Sequence, residues 1–153
     1  MKEVMTLILF VVLAFLPGIV GSQFEPGAWY AGLAKPPLTP PGFVFPVAWT
    51  ILYLLTGISG NIYFSTSSKE TKTAGYTVFA ANLILNGLWS FLFFGEHLIG
   101  WALLDIAALA SVIALNIYFF SKVRTASGVL QVPYLAWVLF AAYLNAGLYI
   151  LNR

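Results

Sequence analysis

Three sets of side chains in this sequence place indole, phenol or carboxamide groups at helical spacing. Trp49 and Tyr53 lie four residues apart. Asn82, Asn86, Trp89 and Phe93 follow one helical face, and Tyr134, Trp137, Ala141 and Asn145 follow another. Residues three or four apart share one side of an α-helix. The chemistry on offer is recognition rather than bond making. Aromatic faces stack on a flat, mostly apolar ligand, while indole N–H and amide groups meet its few polar atoms. Each residue also has a purely structural use, because Asn joins packed helices and Trp and Tyr mark membrane interfaces. The convergence of three such faces, rather than any one residue, points to a pocket.

Bond-making constellations are missing. There is no cysteine, which excludes disulfides, thiolate nucleophiles and cysteine metal sites. One histidine, His97, follows Glu96 in a turn and leaves no His-rich metal cluster; it is expected to be solvated rather than to ligate haem. No phosphate-cradling glycine loop, paired carboxylates or Ser-His-Asp set is recognisable. Catalysis stays open only where a bound ligand supplies the reactivity, and no cofactor is expected. Asp105 is the one acid well inside an apolar run. A charged aspartate at mid-bilayer costs about 2.5–3.5 kcal/mol on insertion scales, so Asp105 must face the bundle, protonated or hydrogen-bonded. Asn116 lies on the same face, and helix packing is the expected role of both.

The elements that must position these residues are membrane spans. The chain has 153 residues, 61% of them hydrophobic and 8% charged, against about 25% charged in soluble domains. So few charges cannot cover so much apolar surface in water, whereas lipid requires no such cover. Net charge is +2 with no basic cluster, so nucleic acid is excluded as a partner. Five apolar stretches are long enough to cross a bilayer, at about 20 helical residues each. They fall near Val4–Gly21, Phe43–Phe64, Ala74–Phe94, Leu98–Phe120 and Val129–Leu151, and form one domain over 1–153. Ser65–Thr73, Gly95–His97 and Ser121–Gly128 read as short loops. Lys2 and the small residues near Gly21-Ser22 also suit a secretory signal, but a retained span is favoured. Lys2, Lys69, Lys72, Lys122 and Arg124 share one side of this topology; only Lys35 and Arg153 lie on the other. That asymmetry predicts a cytoplasmic N-terminus in a bacterial cell membrane.

Six of the eight prolines fall between Pro26 and Pro46. Proline fixes φ, lacks an N–H and restricts the residue before it. Glu25–Pro41 therefore cannot be a continuous helix, and a semi-rigid lid over the helix ends is expected. Lys35, within that loop, is positioned to meet a ligand carboxylate at the pocket mouth, although an exposed lysine more often meets only water or lipid head groups.

These residues resemble the translocator protein family, also called tryptophan-rich sensory proteins (TspO) and, in mammals, peripheral benzodiazepine receptors. The likeness runs through Trp29-Tyr30, Leu33, Lys35-Pro36, Pro40-Pro41, Trp49 and Leu52-Tyr53. It continues through Asn82-Leu83, Asn86, Trp89, Phe93-Phe94-Gly95, Trp101-Ala102-Leu103 and Asp105. Pro133-Tyr134-Leu135, Trp137, Phe140-Ala141 and Leu144-Asn145 complete it. One departure is Leu38, where the family often carries tryptophan. The resemblance implies an all-α membrane protein: a five-transmembrane-helix bundle, often a homodimer, with a proline-rich loop capping a pocket. It implies a receptor or carrier for porphyrins such as protoporphyrin IX, with haem or sterol as further ligands. Light-dependent porphyrin breakdown and a scaffold without ligand turnover stand as alternatives. It assigns Tyr30, Trp49, Asn86, Trp137 and Ala141 to the pocket, with Asn82 and Trp89 lining or bracing it. Leu144, Tyr149 and Arg153 meet the loose sterol pattern, which is weak.

Overall fold

The computed structural model describes residues 2–153. Five helices are long and apolar enough to cross a membrane, and there is no strand among the described residues. The chain is thus an integral membrane protein of the all-α class. Helix α1 spans Lys2–Gly21, α3 Val44–Thr66, α4 Lys69–Ser90, α5 Ile99–Val123 and α7 Val132–Leu151. Two short helices, α2 (Gly27–Gly32) and α6 (Thr125–Val129), lie in the connections.

The spans match the apolar runs, and the departures have local causes. The expected loop Ser65–Thr73 shrinks to Ser67 and Ser68, because α4 starts at Lys69. Lys69, Glu70 and Lys72 are adequate helix formers, and extended Ser68 occupies the N-cap with acidic Glu70 in the first turn. Likewise Ser121–Gly128 is mostly helical, with the break confined to Arg124. Within the proline-rich loop, Gly27–Gly32 forms a helical turn and a half. It fits in the one proline-free gap, between Pro26 and Pro36. The rest of Glu25–Pro41 is non-helical, as the prolines require.

α5 is the central rod, packed against α4, α6 and α7, while α1 lies against α3 and α4. Lipid tails are as apolar as leucine, so helices associate through close packing rather than water exclusion. Glycine supplies the closeness. A Cβ on Gly57 of α3 would stand 2.6 Å from the Val11 Cα of α1, and one on Gly75 would strike the Tyr63 ring. Pro17 is buried in α1 opposite Gly87 of α4.

The interior divides into three layers. Phe10, Tyr63, Phe64, Phe79 and Phe120 fill the end that holds the start of α1. Leu52, Ile106, Leu109, Ile113, Tyr134 and Val138 fill the middle. Phe93, Ala102 and Leu148 close the other end, with Trp29, Tyr30 and Leu33 of the loop packed on them. The loop therefore caps the bundle at the end opposite the N-terminus.

Candidate functional site: a capped cavity between four spans

Under the loop lies a cavity of about 720 Å³. α1 lines it with Phe15 and Gly18, and Ser22 just after it; α3 with Phe45, Trp49 and Tyr53; α4 with Asn86, Trp89 and Ser90, and the turn after it with Phe94. Ile106 and Leu109 of α5 form its floor, and Tyr30, Lys35 and Pro40 of the loop its roof.

A hydrogen-bonded chain sets the polar wall. The Tyr53 hydroxyl donates to Asn86 Oδ1 at 3.0 Å, and Asn86 Nδ2 donates to the Tyr134 hydroxyl at 2.7 Å. Tyr134 in turn donates to Asn82 Oδ1 at 2.8 Å. Three helices are thereby tied at one level, and Asn86 is the link that also faces the cavity. Trp89 Nε1 donates to Asn145 Oδ1 at 2.9 Å, and Asn145 Nδ2 donates to the Ile99 carbonyl at 2.9 Å. The Trp89 ring is thereby fixed and stacks on Phe93 at 5.0 Å. Trp49 stacks on Tyr53 at 5.6 Å.

Just beyond, α4 ends in a wide turn, Phe91–Gly95. Its backbone bonds run from Glu96 N–H to the Phe91 carbonyl and from Leu98 N–H to the Leu92 carbonyl. Such π-type turns recur at functional sites. Here the turn carries Phe93 and Phe94 under the lid, where both rings meet Tyr30 edge-on. His97 follows in the left-handed region at φ 57 and stacks flat on Trp29 at 3.9 Å. It is thus a lid contact that is also exposed, as expected of a solvated histidine. No group of His, Asp or Glu among the described residues is arranged to hold a metal.

Among the residues singled out from the sequence, Tyr30, Lys35, Trp49, Asn86 and Trp89 come together on the cavity. Asn82, Trp137 and Ala141 do not line it. Asn82 is fully buried behind Tyr134 and braces the wall. Ala141 sits in the middle core beside Leu52 and Tyr134. The buried side of α7 carries Tyr134, Val138, Ala141 and Asn145. Trp137 stands roughly 60° around the helix from Tyr134, on the edge of that side. Its ring meets Phe45 at 6.0 Å and walls a shallow outer groove with Ala48, Ile51 and Pro133. Lys35 lines the mouth, but its Nζ donates to the carbonyls of Tyr30 (2.8 Å), Leu33 (3.2 Å) and Ala31 (3.4 Å). It also sits over the Tyr30 ring, and so closes the end of α2.

Asp105 is buried off the cavity, and Asn116, on its face, donates to the Val78 carbonyl of α4 at 3.4 Å. Leu38, the departure from the family pattern, is 79% exposed and in the left-handed region, so it supplies no wall.

Sequence reasoning missed the α1 wall. Small residues near Gly21-Ser22 suit a cleavage site when read alone. In the bundle Gly18 and Gly21 are places where α1 is thin enough for Tyr53 and Ser90 to approach: a Cβ on Gly18 would meet the Tyr53 ring at 2.6 Å, and one on Gly21 the Ser90 hydroxyl at 2.9 Å.

Three donors on the cavity make no hydrogen bond among the described residues: the Trp49 indole N–H, the Ser90 hydroxyl and the Tyr30 hydroxyl. Burial raises the Tyr30 phenol above its ordinary value, so it stays a donor at neutral pH. The site is thus an apolar chamber with stacked rings and a few hydrogen-bond donors.

Fold and site together define a small polytopic membrane protein with a capped cavity lined by aromatic side chains. A sequence model of the TspO/MBR family matches residues 6–151, and the chain belongs to that family. It is 38% identical to the tryptophan-rich protein TspO of Chlorobaculum tepidum, over 99% of this chain and 98% of that protein. It is 39% identical to protein CrtK of Rhodobacter capsulatus, over 88% of this chain and 85% of that one. With the translocator protein of Bos taurus it shares 34% identity over 89% of this chain and 83% of the bovine protein.

Proposed function

We propose that the chain is a membrane receptor or carrier that binds a flat, mostly apolar ligand of the porphyrin class in the capped cavity. The observation that carries this reading is the cavity itself: about 720 Å³, with Trp49 and Trp89 in its wall and a loop as its roof. That volume lies within the roughly 300–1,000 Å³ of small-molecule sites. The two indole–aryl stacks offer ring faces to a planar ligand. Of the uncommitted polar groups, the Trp49 indole can only donate and the Ser90 and Tyr30 hydroxyls can donate as well as accept, so a ligand bearing carbonyl or carboxylate acceptors can be met by all three. Lys35 is occupied by backbone carbonyls, so ligand carboxylates meet neutral donors first. In the same reading, Lys69, Lys72, Lys122 and Arg124 keep the N-terminal end in the cytoplasm of a bacterial cell, with the lid on the outer side.

Protoporphyrin IX titrated into detergent-purified protein, followed by porphyrin absorbance, tests this. Saturable binding is expected, with affinity falling about tenfold in Trp49→Ala, since one good stack is worth about 0.5–1.5 kcal/mol and 1.4 kcal/mol is a factor of ten. Trp137→Ala, which lies behind Phe45, is expected to change affinity less than threefold. Non-saturating uptake, or full affinity in folded Trp49→Ala protein, overturns the reading.

A further inference from the structure

Besides the ring contacts of Trp29 and Tyr30 with the end of α4, the loop is held by side-chain hydrogen bonds to one helix end, that of α7. Ala34, just after α2, presents its N–H and C=O to a single side chain at the end of α7. Its N–H donates to Asn152 Oδ1 at 2.8 Å, and Asn152 Nδ2 donates back to its carbonyl at 2.9 Å. The same Nδ2 also donates to the Leu148 carbonyl at 2.7 Å, which ties the carboxamide to its own helix. One and two turns earlier, α7 receives the next loop residues. Pro36 is the one buried residue between Ala31 and Leu38, and it rests where Gly147 lacks a side chain; a Cβ there would stand 2.5 Å from the Pro36 Cβ. The Tyr143 hydroxyl donates to the Pro37 carbonyl at 3.0 Å. Residues 143, 147 and 152 thus together grip residues 34–37. Asn152 is itself exposed, so water competes for both of its bonds to Ala34, and the clasp can open without unfolding the helix.

We propose that Asn152 is a positioning residue that clasps the lid to α7, and that release of this clasp sets the rate of ligand exchange. The inference rests on reading the loop as the roof of a binding cavity, and its test separates the two ideas. Amide hydrogen exchange at Ala34, in purified protein without ligand, reports the clasp directly. Asn152→Ala should speed that exchange at least tenfold, with little change in the melting midpoint of the bundle. Asn152→Asp loses the donor to Ala34 and to Leu148, as Asn152→Ala does, but keeps an acceptor for the Ala34 N–H. It should restore part of the protection, which loss of a helix cap alone would not produce; repulsion of its second oxygen by the Ala34 and Leu148 carbonyls limits the gain. Gly147→Ala lifts Pro36 without removing any hydrogen bond and should also speed exchange. Protoporphyrin IX dissociation should accelerate severalfold in Asn152→Ala and Gly147→Ala. Unchanged Ala34 exchange in both variants, equal exchange in the Ala and Asp variants, or unchanged porphyrin release would each overturn the proposal. Should the unaltered protein hold no porphyrin, the binding function fails and Ala34 exchange alone decides the clasp.

Discussion

Both polar ends of the Asn86 carboxamide are committed, Oδ1 to Tyr53 and Nδ2 to Tyr134. The same residue forms part of the cavity wall. Replacing it with alanine strands a buried Tyr53 hydroxyl and removes the donor to Tyr134. A stranded buried group costs about 1–3 kcal/mol, and inter-helix hydrogen bonds in membranes average nearer 0.6 kcal/mol because the separated helices find other partners. A loss of about 1–2 kcal/mol is therefore expected for Asn86→Ala. Asn82→Ala breaks only the last link, behind Tyr134 and away from the cavity. Both variants should lower the melting midpoint, but only Asn86→Ala should also weaken porphyrin binding by severalfold. Thermal unfolding and titration on the same samples check this, and an equal loss of affinity in both would mean that the chain acts on the cavity as a unit.

The spans were legible because a run of about 20 apolar residues has few alternatives to a membrane helix. Their junctions were not. Lys69–Thr73 has the polarity of a loop, yet its residues can form the first turns of α4 once Ser68 supplies the start. α2 was hidden by its prolines, although the gap between Pro26 and Pro36 leaves room for one short helix. Much of the site was readable for the same reason as the spans: Trp49, Tyr53, Asn86 and Trp89 repeat with helical period on α3 and α4. Trp137 shows where periodicity fails, since helical spacing defines a face only to within roughly 60°. Nothing local betrays the contact of Asn152 with Ala34, 118 residues apart. Close approach of helices was equally hidden, because a glycine in an apolar run does not say what it faces. Gly57 meets backbone atoms, Val11 Cα at 2.6 Å and Val11 N at 3.0 Å, which cannot swing aside. Gly57→Ala should cost about 1–3 kcal/mol of overpacking, more than the roughly 0.5–1 kcal/mol that alanine gains over glycine in a helix. Gly32→Ala, with nothing within 4 Å of the new methyl, is the control and should leave the melting midpoint unchanged.

At the scale of the whole molecule, the two ends of the bundle differ in kind. One end carries Lys69, Lys72, Lys122 and Arg124 beside an aromatic plug of Phe64, Phe79 and Phe120. The other carries the lid, the cavity and only Lys35 and Arg153 as cations. Lysine and arginine are retained on the cytoplasmic side during insertion, and the loops concerned are short enough for the bias to act. The lid should therefore face outward, and any ligand would meet the cavity from that side. The lack of native cysteine makes this directly measurable. Leu38→Cys places a thiol on the exposed lid, where Leu38 is 79% accessible, and Ser68→Cys places one at the exposed junction of α3 and α4. In intact bacterial cells a membrane-impermeant thiol reagent should label Leu38→Cys and spare Ser68→Cys until the membrane is opened. The reverse pattern would turn the lid toward the cytoplasm, and a receptor for external ligand would then have to be an intracellular one. Labelling at both positions in intact cells would mean that the charge bias is too weak to fix one orientation, so that the cavity faces both compartments in one population.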